Sequence, residues 1–85
     1  MKEIQPYEVA SFGSIKIAHF LLAYINEDNL LDEAIVYIGL YDELKNKIAD
    51  TTMNVTGQDY VNYTSNEYIY QLIEQTYNIV IISPI

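Results

Sequence analysis

Residue types that commonly carry catalysis or metal binding are few in this chain, and they are not grouped. His19 is the only histidine, cysteine is absent, and the three glycines stand apart instead of forming a phosphate-binding loop. A serine–histidine–carboxylate relay also needs an oxyanion hole, and a zinc site needs three or four closely spaced ligands. Because neither pattern occurs, the sequence predicts no catalytic residue, no metal ligand, no cofactor and a protein that is not an enzyme.

Charge is the strongest chemical signal. The 85 residues include twelve Asp and Glu but four lysines and no arginine, which gives a net charge of −8. Such a chain is repelled by nucleic acid and by anionic membranes, and it associates readily with basic surfaces. We therefore expect a basic protein partner, and no direct binding to nucleic acid or to a membrane.

The length fits one compact acidic domain over 1–85. The first residues lack the apolar run of a secretory signal, and no apolar stretch reaches the roughly 18 residues that cross a membrane. Without cysteine there is no disulfide framework. From these features we expect the protein to be located in the cytoplasm of a bacterial host cell.

Apolar spacing predicts three helices, over about 14–26, 30–49 and 65–77. The longest follows from apolar residues at intervals of four and three, the stripe by which a helix packs on a core; they are Leu30, Ala34, Tyr37, Tyr41, Leu44 and Ile48. Asn29 is a suitable N-cap for it. Thr64 and Glu67 match a capping box for the third helix, and Asn78 is suited to end it as a left-handed cap.

Short β-prone runs predict a small sheet. Ile79-Val80-Ile81-Ile82 is typical of a buried strand over 79–82, and its candidate partners are 3–9 and a hairpin within 51–63. The expected fold is α+β, with the three helices packed on a small, partly antiparallel sheet. The alternative is a three-helix bundle in which 50–63 is an irregular loop.

Acidic and tyrosine side chains are the candidate partner-binding groups, because carboxylates and aromatic rings together accept lysine and arginine through salt bridges and cation–π contacts. On the predicted helices these are the acids Asp32, Asp42, Glu43, Glu67 and Glu74, together with Tyr70, which flanks the apolar stripe of the third helix.

The expected function is therefore inhibition by binding. Short, acidic, cysteine-free proteins encoded by phages or mobile elements, anti-CRISPR proteins among them, often block the nucleic-acid-binding surface of an enzyme such as a nuclease. A charge of −8 over about 30 Å is a charge density closer to that of one nucleic-acid strand than to that of a duplex. We therefore expect mimicry of a single strand rather than of a duplex. Two alternatives are an immunity protein or antitoxin that neutralises a cationic toxin, and a structural subunit that forms a homodimer or larger homo-oligomer.

Overall fold

One antiparallel sheet of five strands, with two helices on one of its faces, makes up the computed structural model of the protein. The structure describes residues 1–11, 13–63 and 65–84. In chain order the elements are β1 (Lys2–Ser11), β2 (Ser14–Asp28), β3 (Glu33–Tyr41), β4 (Lys47–Thr56), α1 (Gly57–Asn62), α2 (Asn66–Tyr77) and β5 (Ile81–Pro84).

The strand order follows from three short connections and one long one. β1 to β4 form a meander in which each strand pairs antiparallel with the next. The chain then passes through α1 and α2, and β5 pairs antiparallel with β1. The order across the sheet is β4-β3-β2-β1-β5, so β4 and β5 are the two edges.

Two of the turns are each organised by one polar side chain. Asn29 Oδ1 accepts hydrogen bonds from the amides of residues 31 to 33, at 2.8 to 3.1 Å, in the β2–β3 turn. Asp42 Oδ1 accepts from the amides of Leu44 and Asn46, both at 2.9 Å, in the β3–β4 turn. A side chain that satisfies several backbone donors in this way favours a turn at that point of the chain.

The core lies between the helices and the sheet face that they cover. Side chains from α2 meet side chains from the four strands of the meander, and burying them supplies most of the folding free energy. The buried apolar residues are Ile4, Ala18, Leu21, Ala23, Ala34, Val36, Ile38, Val55, Ile69, Tyr70, Ile73 and Ile79.

The helices predicted over 14–26 and 30–49 are wrong. The first segment is β2, and the second contains β3, the β3–β4 turn and the start of β4. Both strands carry apolar residues at consecutive positions, so the alternation that identifies a half-buried strand is hidden. In β3, Ala34 and Tyr37 lie on opposite faces of the sheet, and the apparent helical stripe therefore joins residues from both faces.

The fold class is corrected accordingly. Strands hold more than half of the described residues, which makes the protein neither three helices on a small sheet nor a three-helix bundle with a loop over 50–63. That last segment contains the end of β4 and the helix α1.

The third predicted helix has a counterpart in α2, and Asn78 follows it in the left-handed conformation, with φ 59°. Thr64, predicted to begin the capping box, lies outside the described residues; Ser65 is the N-cap, without a side-chain hydrogen bond. The strand expected over 79–82 begins two residues later, as β5. Over the described ranges, no helix has the length and apolar character that crossing a membrane requires.

Candidate functional site

The six residues predicted to bind a partner lie at three places in the fold. Asp32 is in the β2–β3 turn, whereas Asp42 and Glu43 are in the β3–β4 turn. β3 has nine residues, so about 30 Å separates these turns at 3.3 Å per residue. The other three are on α2. The structure therefore does not bring the six together in one patch.

The three residues on α2 attach the helix to the sheet. The Lys2 ammonium lies 3.2 Å from Glu67 Oε1 and 4.9 Å from the centroid of the Tyr70 ring. The Tyr70 hydroxyl donates to the Ala23 carbonyl at 3.4 Å, and Tyr70 is 8% exposed. Glu74 Oε2 accepts from the first amide of β5 at 3.1 Å. Partner binding by these three residues stays a prediction.

The sheet face opposite the helices, which we call the open face, is apolar and aromatic over β2 and β3 and polar over β4. Cross-strand partners share a face, so the pairing of β2 with β3 identifies its apolar members. They are Ile35 and the pairs Phe20–Tyr41, Leu22–Gly39 and Tyr24–Tyr37. Both helices pack on the other face, and Tyr24 is 45% exposed.

Aromatic rings on the open face pack on one another around a glycine. The Tyr24 and Tyr37 rings are stacked, with 5.0 Å between their centroids and 30° between their planes. A Cβ atom at Gly39 would lie 3.0 Å from a ring carbon of Tyr41 and 3.3 Å from a ring carbon of Tyr37. The missing side chain at Gly39 is therefore what allows both rings to lie low across β3.

A charged pair on β4 fixes the Tyr37 hydroxyl. Lys47 Nζ lies 3.0 Å from Asp50 Oδ2 and donates to the Tyr37 hydroxyl at 3.2 Å, and that hydroxyl donates to Asp50 Oδ2 at 3.3 Å. Bonding to Lys47 lowers the pKa of Asp50, and bonding first to Asp50 and then to Tyr37 raises the pKa of Lys47. Lys47 therefore stays protonated, and its positive charge is balanced by Asp50 of the same chain.

Cations of the protein already occupy some of its aromatic faces. Lys45 Nζ lies 5.3 Å from the centroid of the Phe20 ring, and Lys47 Nζ lies 5.8 Å from that of Tyr37. Ammonium groups within about 6 Å of an aromatic centroid are attracted by the ring quadrupole. The rings of Phe20 and Tyr37 therefore already hold ammonium groups of the chain itself.

A second polar cluster, at the β2–β3 end, anchors the helices. The Asp28 carboxylate accepts from the hydroxyls of Tyr60 and Tyr63, at 2.7 and 2.9 Å, and from the Leu30 amide at 2.8 Å. These hydrogen bonds, that of Tyr60 first, lower the pKa of Asp28. They raise the pKa of Tyr60 to about 12 and also raise the pKa of Tyr63. Each group already has its partner, so the cluster joins segment 60–63 to β2.

Sequence reasoning missed the open face. It placed Tyr37 and Tyr41 in a buried helical seam, whereas both are half-buried on this face. The signal that could have found the face is the run Ala34–Ile38, which is apolar at every position and mostly β-branched or aromatic. Such a run favours a strand that is apolar on both sides.

The described part of the chain holds no group of three or more His, Cys, Asp or Glu side chains placed to share a metal ion. Comparison with family models, with curated proteins and with solved structures gave no match to this chain. The geometry of the open face is therefore the main basis for a function.

Proposed function

We propose that this chain is a protein-binding protein and that its open face is the recognition surface. One observation carries the proposal: β2 and β3 are apolar on both faces, and the helices cover only one of them. An antiparallel sheet with one face in water ordinarily alternates apolar inward and polar outward residues. A contiguous apolar patch left on a small domain is typical of an interaction site.

The partner is a basic protein. The net charge of −8 draws the chain toward positive surfaces, and the rings of Phe20 and Tyr37 already accept ammonium groups. Arginine and lysine side chains of a partner would make the same contacts, with carboxylates such as Glu3 and Glu27 at the rim of the face as salt-bridge acceptors. Tyrosine combines apolar area with a polar tip, as protein interfaces favour.

Nucleic acid fits the open face less well than a protein does. Aromatic residues on an open sheet can stack bases, but stacking sites normally lie in a positively charged groove. On this face Lys47 is paired with Asp50. Lys45 is then the cation of the face that no ion pair among the described residues neutralises. Phosphates would meet a surface of net negative charge.

Inhibition is the activity that this chemistry would give. A partner surface that attracts an acidic chain and contacts tyrosines resembles the positively charged surface with which proteins bind nucleic acid. Covering that surface would exclude the nucleic acid. We therefore propose an antagonist of a basic, nucleic-acid-binding enzyme in the bacterial cytoplasm.

Affinity capture from a bacterial lysate at low and high salt tests this proposal. The expected result is one basic protein that is held at low salt and released at high salt, because screening weakens charge attraction. Tyr24→Ala should lose the captured protein. Tyr68→Ala is the matched control, since Tyr68 lies on α2 and its hydroxyl donates to Asp59 at 3.1 Å.

Equal capture by the two tyrosine variants would place the binding surface elsewhere. Capture of no protein at either salt concentration would contradict the function itself. Circular dichroism of both variants establishes that each retains the fold of the parent chain.

A further inference from the structure

The two edges of the sheet are protected to different degrees. β5 has four residues and ends at Pro84, which suits an edge that does not recruit another strand. β4 has ten residues and no proline. Natural edge strands are normally short, charged, kinked or covered, because an unpaired edge is a template for another chain.

Side chains along most of β4 are exposed. Residues 50 to 52, 54 and 56 are exposed, and residues 51 to 56 carry no charge. Only β3 pairs with β4 among the described strands, and no backbone hydrogen bond reaches the other side of residues 48 to 56 in the described part of the chain. Every second residue of β4 therefore offers a free amide and a free carbonyl outward.

Charged groups lie at both ends of β4. Lys47, which is ion-paired with Asp50, begins the strand, and the end of the strand lies beside Glu33, which pairs with Thr56. Asp32, Glu33, Thr56 and Gly57 together line a cleft of about 300 Å³. An identical strand laid antiparallel along β4 would place its Lys47 beside this acidic cleft, at both ends of the pair, so that the ammonium would have carboxylates of the second copy as partners in addition to Asp50.

We propose that β4 pairs antiparallel with β4 of a second copy of this chain, about a twofold axis near Thr52. In this register Thr52 faces Thr52 of the second copy and Asp50 faces Asn54 of the second copy. The facing residues share a side of the sheet, as antiparallel pairing requires. Lys47 then approaches the acidic cleft of the second copy.

The centre of β4 is uncharged, and this favours a second copy of the chain, rather than a basic protein, as the strand that pairs with β4. A basic partner would need carboxylates along the strand, and Asp50 is the single one between Lys47 and Thr56. Threonines facing threonines across a pair of strands are compatible and contribute hydrogen bonds. The product is a continuous ten-stranded sheet with two open faces on the same side.

Single cysteines provide the test, since the chain has none of its own. In Thr52→Cys the two sulfur-bearing residues would face each other, with Cα atoms about 4.5 to 5.5 Å apart, within the range of a disulfide. In the control, Thr56→Cys, the two positions would be roughly 27 Å apart at 3.3 Å per residue. Mild oxidation should cross-link most of the first variant and little of the second.

The mass of the parent chain in solution should be twice 9.8 kDa at working concentrations. A mass of one chain at every concentration would overturn the proposal. Equal cross-linking of the two cysteine variants would do so as well, because the dimer would then use another surface. Neither result depends on the open face or its partner, so this inference and the proposed function can fail separately.

Discussion

The covered face and the open face of the sheet are made from similar residues but lie in different surroundings. Leu21 is fully buried beneath the helices, whereas the next residue, Leu22, is half-buried on the open face. Valine, isoleucine and alanine of β3 line the covered face, and tyrosines of the same strand line the open one. The covered face has its second layer within the chain, and we infer that the open face obtains one from a partner.

An uncovered apolar face has a cost, which the charge of the chain offsets. Exposed apolar patches promote nonspecific association, and a net charge far from zero opposes it. With a charge of −8, the protein can expose Tyr24 and its neighbours without collapsing onto other copies face to face. Under the proposed function, the same charge directs the face toward a basic partner.

We expect the largest difference between the two faces from truncation of two adjacent leucines, one on each face. Leu21→Ala removes a fully buried side chain and should lower the free energy of unfolding by about 2–5 kcal/mol. Leu22→Ala should lower it by about 1 kcal/mol, because its side chain is already partly in water. Urea unfolding followed by circular dichroism measures both.

Binding should show the reverse order. Leu22→Ala should weaken capture of the partner, and Leu21→Ala should leave it unchanged under conditions in which that variant is folded. Equal losses of stability in the two variants would mean that the two faces are equivalent in the isolated chain, contrary to the structure.

One carboxylate on each face should make the stability of the chain depend on pH. The pKa of Asp28, on the helix side, is lowered first by Tyr60, and that of Asp50, on the open face, is lowered first by Lys47. A lowered folded-state pKa contributes stability above the unfolded value of about 3.9, and this contribution is lost as the pH falls through the folded value. Asp28→Asn and Asp50→Asn should both be less stable than the parent chain at pH 7, and the difference should shrink as the pH falls through the folded-state pKa of each carboxyl.

Salt should separate these two variants. The Asp50 contribution depends on the charge of Lys47 and should shrink as ionic strength rises, whereas the donors to Asp28 are neutral groups. Urea midpoints at low and high salt measure this difference. A larger salt effect on the Asp28 variant would argue against the assigned hydrogen bonds.

The smallest expected effect comes from Gly39→Ala. Strand interiors favour alanine over glycine by roughly 0.5–1 kcal/mol, but the new methyl group would displace the rings of Tyr41 and Tyr37. Stability should change by less than about 1 kcal/mol. Near-ultraviolet circular dichroism of the tyrosines should change, and partner capture should weaken; an unchanged spectrum would contradict the packing of these rings around Gly39.

Local chemistry was predictable from the sequence, but its structural setting was not. Asn29 was expected to cap backbone amides and it does bond to them, in the β2–β3 turn instead of at a helix start. The αL conformation of Asn78 and the existence of a helix before it depend mostly on neighbouring residues, and they were predicted correctly. The strands were missed because apolar residues on both faces of β2 and β3 erase the period of two.

The candidate site was hidden for the same reason. Tyr37 and Tyr41 fitted a helical seam, and only the pairing of β3 with β2 places them on an exposed sheet face. Strand pairing joins residues far apart in the chain, so spacing within one segment does not reveal it. The six predicted partner-binding residues were chosen from two predicted helices, one of which, over 30–49, does not exist.

Radical labelling of the tyrosines, with and without the captured partner, tests the central claim most directly. The open-face account predicts that oxidation of Tyr24, Tyr37 and Tyr41 falls on complex formation, while Tyr68 and Tyr77 on α2 are labelled equally in both states. Protection of the α2 tyrosines, with Tyr24 labelled as in the free chain, would contradict it.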